Sequence, residues 1–158
     1  MQKISPFLWF DGQAEEAVNF YLSVFPHAKA SKVLRFGDAG PGPKGAVLTA
    51  SFELDGQEFT AINGGPEYKF TPAISFMIPC DTQQEVDDYW RKLTAGGGEP
   101  VQCGWLKDKY GVSWQVTPAV LRDMLLDKDP ARANRVMRAM MKMVKIDIAA
   151  LQRAYDTA

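Results

Sequence analysis

One order of elements, a strand, a helix and three strands, occurs twice along this chain, and this repeat restricts the possible folds more than any other feature. A shift of 69 residues, from position 16 to position 85, superimposes Glu16–Tyr21 on Glu85–Trp90 and places Phe7 on Phe76. Both segments are amphipathic, so chance similarity between two helices is the alternative explanation. The repeat predicts an α+β fold built from two βαβββ modules.

Apolar periodicity and turn residues give the bounds of the predicted elements, which we assign to one domain, residues 1–158. The first module, residues 3–64, contains a strand at 3–10, a helix ending at Pro26, a strand at Val33–Phe36, a loop at 37–45, and a hairpin of strands 46–54 and Gln57–Asn63. The second module, residues 72–118, contains a strand at Ala73–Cys80, a helix at Gln83–Thr94, and short strands at Glu99–Val101, Gly104–Lys107 and Val112–Val116.

Residues 119–158 lie outside the repeat and are predicted to form a helical C-terminal extension. Asp129 followed by Pro130 is typical of a helix start. Apolar residues then recur along one face of this helix, at Ala133, Val136, Met137, Met140, Met141 and Val144. This methionine-rich stripe either packs on its own domain or forms a subunit interface, because methionine adapts to irregular surfaces. The second interpretation favours a homodimer.

The balance of charge excludes two classes of partner. Eighteen basic and nineteen acidic residues give no positive patch for nucleic acid or for an anionic membrane surface. No apolar run is long enough for a membrane-spanning helix or a signal peptide, so we expect a cytoplasmic protein. Two cysteines, Cys80 and Cys103, do not make a disulfide framework. We expect Cys103 to be structural, because no histidine is available to activate it.

Alternation along the predicted strands separates polar faces from apolar ones, since residues two apart share a face. Polar residues share a face at 113, 115 and 117, and again at 49, 51 and 53; Pro6, Leu8 and Phe10 share a third face. If helices cover the opposite sides, these sets line a cavity for a small molecule. The predicted ligand-binding residues are Ser75, Gln115, Trp105, Thr49, Ser51, Leu8 and Met77. The alternative is that the polar faces meet solvent.

Two loops carry residues that are common in functional sites. The loop at 37–45, GDAGPGPKG, has the glycines of a cofactor loop, but it joins two strands, contains two prolines and precedes no helix start. We therefore expect no cofactor there, and the loop is either a lid over a cavity or a plain connection. The turn at Lys107, Asp108 and Lys109 is expected to be solvated. Trp105, just before it, is a candidate platform for a planar ligand.

Five segments resemble a known family: PFLWFDGQAEEAVNFYLSVFP, ELDGQEFTAINGG, FTPAISFMI, CGWLKDKYGVSWQVTP and MKMVKIDIAALQRA. They resemble the PhnB-like proteins, labelled 3-demethylubiquinone-9 3-methyltransferase domain, of the vicinal oxygen chelate superfamily. That superfamily includes glyoxalase I, extradiol dioxygenases and bleomycin-resistance proteins. The resemblance implies two βαβββ modules whose mixed sheets curl around a cavity, with helices outside.

Metal-dependent members of that superfamily use His or Glu side chains from matching strands of the two modules. The resemblance places these positions on or beside Pro6, at Ser75, at Gln115 and within Glu58–Asn63, where the register is open. Proline has no side-chain donor, serine is a poor ligand and glutamine is neutral, so we expect no metal at the usual site. Glu58 is the residue that weakens this prediction. The single histidine, His27, is expected to be solvated.

Two functions follow from these residues. The first is a metal-free small-molecule-binding protein with no cofactor and an unidentified ligand. The second is an enzyme on a small organic substrate, with Glu53 or Glu58 as general acid/base and Gln115 and Ser75 orienting the substrate. A third function, methyl transfer to a quinone-like phenol, follows from the family label alone, because no loop is predicted to hold a methyl donor.

Overall fold

The computed structural model describes residues 3–157. They form two compact units, one ending at Phe70 and the other beginning at Thr71. Each unit has its own sheet and helices and is described separately. In the described part of the chain, no helix is long and apolar enough to cross a membrane.

The first unit contains one helix and one four-stranded mixed sheet. Its elements are β1 (Phe7–Phe10), α1 (Ala14–Val24), β2 (Lys29–Arg35), β3 (Val47–Leu54) and β4 (Gln57–Asn63). The strands lie in the order β1-β4-β3-β2; β1 is parallel to β4, and the other neighbours are antiparallel. Asp55 and Gly56, with φ of 48° and 82°, form the predicted two-residue turn between β3 and β4.

Helix α1 covers one face of this sheet. Tyr21 of α1 stacks on Phe52 of β3 with 5.8 Å between ring centroids, and Phe52 stacks on Phe59 of β4 at 5.4 Å. All three side chains are buried, and so is every second residue of β3 from Ala50 to Leu54. This is the helix-covered face; we call the opposite side of each sheet its far face.

The start of α1 is capped from a distant strand. Its own N-cap residue, Gln13, makes no side-chain capping bond. Instead, Asn63 Oδ1 at the end of β4 accepts the N–H of Ala14 at 2.9 Å, and Asn63 Nδ2 donates to the carbonyl of Val47 at 3.0 Å. One asparagine thus satisfies an otherwise unpaired helix N–H and ties the helix start to two strands.

The second unit repeats this arrangement and adds three helices. Its elements are β5 (Ser75–Cys80), α2 (Gln83–Thr94), β6 (Glu99–Pro100), β7 (Trp105–Lys107), β8 (Ser113–Pro118), α3 (Ala119–Leu125), α4 (Pro130–Met141) and α5 (Ile148–Asp156). The strand order β5-β8-β7-β6, with β5 parallel to β8, matches that of the first sheet. The predicted α+β class with two four-stranded mixed sheets and a helical C-terminal segment is confirmed.

Two strands differ from their predicted bounds by more than two residues at the start. The predicted strand at 3–10 begins only at Phe7. The predicted strand at Val33–Phe36 is the longer β2, Lys29–Arg35, at the edge of the sheet. All seven residues of β2 are exposed, so the strand carries no apolar alternation from which its start could be predicted.

The number of residues that separates the two modules differs between the helix and the first strand. Helices α1 and α2 begin at Ala14 and Gln83, 69 residues apart, whereas β1 and β5 end at Phe10 and Cys80, 70 residues apart. The first module therefore has one extra residue between strand and helix, next to Gly12, whose φ is +78°. Because side chains alternate between faces, a one-residue difference reverses the face on which each strand residue lies.

This offset corrects the predicted superposition of Phe7 on Phe76. Phe7 pairs with Thr60 on the far face of its sheet and is 62% exposed. Phe76 pairs with Trp114, and the two rings lie 5.5 Å apart on the helix-covered side. In position and in face, the equivalent of Phe7 is Met77.

The C-terminal helices form a small core of their own, made of Leu121, Met124, Val136, Ile146 and Leu151. Only part of the predicted methionine-rich stripe of α4 packs on this core. Val136 is buried and Met140 packs partly against the cluster, whereas Met137, Met141 and Val144 are exposed. Val136 and Met140 therefore fit packing on the protein's own core, whereas Met137, Met141 and Val144 are the residues available for a subunit interface.

The connection between α4 and α5, residues 142–147, is bound to the sheet and to α2. Backbone carbonyls of Met143 and Val144 accept the N–H groups of Cys103 and Gly104 at 2.9 and 2.8 Å. The side chain of Gln83 donates to the carbonyl of Ile146 and accepts the N–H of Ile148 at 3.0 and 2.8 Å. These four bonds explain why this connection lies close to β7 and α2.

Candidate functional site

The far face of the second sheet brings together four residues that were predicted to bind a ligand. The register places Met77 opposite Gln115, and Gln115 opposite Trp105. Ser75 pairs with Ser113, two residues before Gln115 on the same strand. Since paired residues and residues two apart share a face, Ser75, Met77, Trp105 and Gln115 all lie on the far face.

These side chains form two rows across three strands. The first, which we call the polar row, contains Ser75, Ser113 and Lys107 on β5, β8 and β7. The second, the platform row, contains Met77, Gln115 and Trp105 on the same strands. The platform row offers a flat aromatic and a flexible thioether on either side of an amide. Hydrogen-bonding groups beside apolar surface are the usual composition of a small-molecule site.

A hydrogen bond joins the two rows. Gln115 Nε2 donates to Ser75 Oγ at 2.9 Å, and both residues are half-buried. The bond uses one amide hydrogen and one hydroxyl lone pair, so it consumes neither the Gln115 amide oxygen nor the Ser75 hydroxyl hydrogen. The pair therefore presents an acceptor and a donor on the far face.

Ser113, in the middle of the polar row, is 2% exposed. Its Oγ has no hydrogen-bond partner within residues 3–157. Buried hydroxyls in folded proteins are nearly always paired, with protein, water or ligand. Ser113 was predicted to share a face with Gln115 but was not among the predicted ligand-binding residues.

Asp108 corrects the prediction of a solvated charged turn. Its side chain is 3% exposed. One carboxylate oxygen accepts the N–H groups of Tyr110 and Val112 at 2.9 and 3.1 Å, and the other accepts Nε1–H of Trp114 at 2.9 Å. The acid therefore fixes the β7–β8 turn that places Trp105 and Gln115 opposite each other. No feature of the sequence indicates that Asp108 is buried and the two lysines that flank it are not.

The far face of the first sheet carries the remaining polar residues that were predicted to line a site. Thr49, Ser51 and Glu53 are half-buried there. Ser51 Oγ lies 3.2 Å from Thr60 Oγ1 across β3 and β4. Glu53 is directly opposite Glu58, which is exposed. The two weak candidates for a general acid/base are thus neighbours on one face.

Leu8 does not share that face. It pairs with Ala61, which pairs with Ala50 on the helix-covered side, and it is 4% exposed. Its predicted place among the residues that line a cavity is wrong, because the one-residue difference in offset puts the odd-numbered residues of β1 on the far face. Leu8 belongs to the core of the first unit.

The offset also fixes the register that the sequence left open within Glu58–Asn63. Thr60 of β4 lies opposite Phe7, and Gln115 of β8 lies opposite Met77, the equivalent of Phe7. Thr60 is therefore the counterpart of Gln115. A hydroxyl and an amide stand at the two matched positions, and both are weak donors for a divalent metal.

The donor set at these positions does not fit the metal found in metal-dependent members of the superfamily that the sequence resembles. Glu58 lies on the far face two residues from Thr60, and the residue opposite it is another carboxylate, Glu53. Among residues 3–157, no three His, Cys, Asp or Glu side chains are close enough together to hold a metal ion.

A cleft of about 610 Å³ lies at one end of the first sheet. Its lining includes Arg35 and Phe36 at the end of β2, Pro41 and Pro43 of the loop, and Glu15 in the first turn of α1. The loop was predicted to have no helix start beside it in sequence; in the structure the start of α1 borders the same cleft. Whether the loop acts as a lid stays a prediction.

The two cysteines occupy different environments. Cys80 is buried on the helix-covered side of β5, opposite Pro118. Burial raises the pKa of its thiol to about 12, with further contributions from Glu85 and Asp81. Cys103 is half-buried in the turn before β7 and has a φ of 59°. Both are free thiols.

Comparison with known proteins identifies the family. The family described as 3-demethylubiquinone-9 3-methyltransferase matches residues 2–117. A PhnB protein from Bacillus cereus that carries the same methyltransferase description shares 42% sequence identity; the match covers 75% of this chain and 100% of that protein, with a TM-score of 0.68. The helical extension lies beyond the matched residues.

More distant structures share the fold. A protein from Pseudomonas aeruginosa is 20% identical over 75% of this chain and 98% of its own, with a TM-score of 0.62. The fosfomycin resistance protein FosX from Listeria monocytogenes, solved with Mn(II) and sulfate, is 17% identical over 78% of this chain and 99% of its own, with a TM-score of 0.50. No curated protein matches the sequence. The chain belongs to the 3-demethylubiquinone-9 3-methyltransferase family, together with the PhnB protein from Bacillus cereus.

Proposed function

We propose that this protein binds a small organic molecule without a metal, on the far face of its second sheet. The platform row contacts the body of the ligand, and the Ser75–Gln115 pair makes hydrogen bonds to it. The observation that carries the proposal is the 2.9 Å bond from Gln115 Nε2 to Ser75 Oγ. It connects two of the positions at which the family resemblance implies metal ligands in other members. An amide paired with a hydroxyl suits hydrogen bonding, whereas a divalent cation needs several charged or imidazole donors.

The exposure of the platform residues supports a ligand there. Met77 is 56% exposed on β5, the edge strand that pairs with β8. Trp105 is half-buried and lies one strand beyond Gln115. A planar molecule that covers both would remove apolar surface from water, at about 25 cal/mol per Å² buried. Thr49 and Ser51 remain candidates for a contact on their own sheet.

Native mass spectrometry tests the metal-free part of this proposal. The protein is measured before and after addition of Zn²⁺, Ni²⁺, Mn²⁺ and Fe²⁺, with Gln115→Glu as a comparison that adds a carboxylate at the key position. We expect no stoichiometric metal on the wild-type chain. One tightly bound ion per wild-type chain, lost in Gln115→Ala, would overturn the proposal.

Catalysis on a small organic substrate is the second candidate function. The observation that favours it is the Glu53–Glu58 cross-strand pair, because adjacent carboxylates are a common source of a general acid or base. The exposure of Glu58 counts against it, since solvent screens the interaction between exposed charges. After a ligand is found, mass spectrometry of the mixture with wild type and with Glu53→Gln would show whether a product forms. A ligand that stays chemically unchanged excludes catalysis on that compound.

We also propose that the protein is a cytoplasmic homodimer. Two free cysteines suit a reducing compartment. The exposed part of the methionine-rich stripe, Met137 and Met141, is the interface that we favour. Light scattering after size-exclusion chromatography should give a dimer for wild type and for Lys142→Ala, and a monomer for the double change Met137→Lys and Met141→Lys. A dimer that survives this double change would exclude this surface as the interface.

A further inference from the structure

We propose that the group recognised on the far face of the second sheet is a carboxylate, bound by Ser113 with Ser75 and Lys107 along the polar row. This inference rests on the proposed function, because it names the chemistry of a ligand bound at the same face. The platform row would hold the apolar or aromatic body attached to that carboxylate.

The buried hydroxyl of Ser113 is the observation that points to a ligand. It is 2% exposed and lies in the centre of the polar row, and its Oγ has no hydrogen-bond partner within residues 3–157. Neighbouring strands are about 4.8 Å apart, so a group over Ser113 is within reach of the side chains on either side. A ligand oxygen placed there would pair the hydroxyl without any change in the register of β8.

Donors outnumber acceptors around this hydroxyl. Ser75 Oγ accepts from Gln115 Nε2, so its hydrogen can be donated elsewhere. Lys107 lies directly opposite Ser113 on β7 and carries only donors. A site that offers two hydroxyl hydrogens and an ammonium favours an oxygen-rich anion. A carboxylate has the width to accept from Ser113 and one neighbour at the same time.

Glu99 limits the charge that this site can take. It lies opposite Lys107 on β6, on the side away from Ser113, and is exposed. The glutamate offsets part of the ammonium's charge, so the site suits a single negative charge better than a dianion. This is the reason for choosing a carboxylate and not a phosphate or phosphonate.

The first sheet does not offer the same chemistry at matched positions. With the strand offsets found above, Glu58 is the counterpart of Ser113 and Glu53 that of Lys107. Two acids on neighbouring strands repel an anion. A carboxylate ligand is therefore expected on the second sheet and not on the first, which makes the proposal specific to one far face.

The test is a titration of the ¹⁵N-labelled protein with benzoate and with benzamide, its neutral counterpart of the same shape. The signals followed are the side-chain amide of Gln115 and the indole N–H of Trp105, assigned with Gln115→Leu and Trp105→Phe. We expect saturable shifts of both signals with benzoate and a Kd for benzamide at least about tenfold weaker, since hydrogen bonds to a charged group are the stronger ones.

Matched variants locate the anion. Ser113→Ala and Lys107→Gln should each weaken benzoate binding by roughly tenfold. Thr117→Ala, on the same strand and face beyond the platform row, should leave it unchanged. A dispersed spectrum that overlays on wild type away from the site shows that each variant is folded.

The outcomes separate this inference from the proposed function. If benzoate and benzamide bind equally, or if Ser113→Ala binds benzoate as wild type does, the carboxylate inference fails while the far face stays a binding site. If neither probe shifts Gln115 and Trp105, but a different small molecule does, the carboxylate inference also fails. If no compound in a fragment screen shifts these two signals, both proposals fail.

Discussion

The carboxylate of Asp108 accepts the indole hydrogen of Trp114 at 2.9 Å, and both side chains are buried. Asp108 also accepts two backbone N–H groups of the turn that joins β7 to β8. A charged group in the interior is stable there only when its hydrogen bonds are made. The relationship couples the shape of this turn to the helix-covered core beneath the candidate site.

Removing this carboxylate should therefore destabilise the protein. We expect Asp108→Ala to lower the free energy of unfolding by about 3–5 kcal/mol, because three donors lose a charged partner and the indole is left buried and unpaired. Urea denaturation followed by tryptophan fluorescence measures this loss. Asp123→Ala, which removes an exposed acid from α3, is the control. Equal stability of the two variants would contradict the assigned role of Asp108.

The corrected face of Leu8 gives a second prediction. Leu8→Ala should cost about 2–4 kcal/mol of unfolding free energy, the usual range for truncating a buried leucine. Met77→Ala, on the exposed far face of the other sheet, should cost less than about 0.5 kcal/mol. Both values come from the same denaturation experiment. A neutral Leu8→Ala would return Leu8 to the far face and restore it as a ligand contact.

Gly104 and Gly12 have nearly the same φ, +82° and +78°, but different surroundings. A Cβ on Gly104 would lie 2.9 Å from the carbonyl oxygen of Val116 and 3.0 Å from Ile146 Cγ1, whereas one on Gly12 would meet nothing within 4 Å. Gly12→Ala should cost about 1–2 kcal/mol for the left-handed backbone alone. Gly104→Ala should cost about 1–3 kcal/mol more through overpacking.

Thermal and urea unfolding of the two glycine variants checks this difference. Gly104→Ala should also weaken the hydrogen bonds of residues 103 and 104 to Met143 and Val144. Faster exchange of those two amide hydrogens would report it. Equal costs for the two variants would mean that the α4–α5 connection moves aside without penalty.

Acid should weaken the contact between α5 and the turn before α4. A hydrogen bond from Tyr155, followed by one from the backbone of Asp129, lowers the pKa of Asp127. The unfolded chain, with an aspartate pKa of about 3.9, therefore binds the proton more readily than the folded protein. The stability contributed by Asp127 is fully present above that value and is lost as the pH falls through the lower, folded pKa.

Tyr155→Phe removes the largest cause of this shift. Its unfolding free energy should fall less steeply than that of wild type between pH 5 and pH 2, and Asp127→Asn should show the same change. Unfolding curves at a series of pH values measure the slopes. Parallel curves for wild type and Tyr155→Phe would show that the hydrogen bond does not perturb the titration of Asp127.

The cysteines should differ in reactivity toward a disulfide reagent at pH 8. With a pKa of about 12 and a buried side chain, Cys80 has a thiolate fraction of about one part in ten thousand at that pH. Cys103→Ser, which retains only Cys80, should release almost no chromophore until denaturant is added. Rapid reaction of this variant under native conditions would contradict the burial of Cys80.

The order of elements was predictable because the spacing of apolar residues along each segment indicates a helix or a strand. Amphipathic spacing marked α1 and α2, and alternation placed Gln115 on one face of β8 and Trp114 on the other. The short-range turn at Asp55-Gly56 was also readable, since it needs two residues of positive φ. The fully exposed β2 was the least predictable strand, because nothing in it alternates.

The faces of β1 and the environment of Asp108 were not predictable in the same way. One extra residue before α1 leaves the helix repeat intact and reverses the face of every residue in β1, so Leu8 was assigned to the wrong side. Asp108 reads as a surface charge between two lysines. Its burial depends on an indole from the next strand and on two amides, which come together only when the turn closes.

The sequence by itself determined the family, the two-module fold and, within single strands, the residues that share a face, Ser75 with Met77 and Ser113 with Gln115. Periodicity fixes these because it acts along a single strand or helix. The tertiary structure decided which residues meet across strands: Ser75 with Gln115, Ser51 with Thr60, and Ser113 with no partner in the described chain. Register and burial arise from contacts between distant segments, and a pattern along one strand does not contain them.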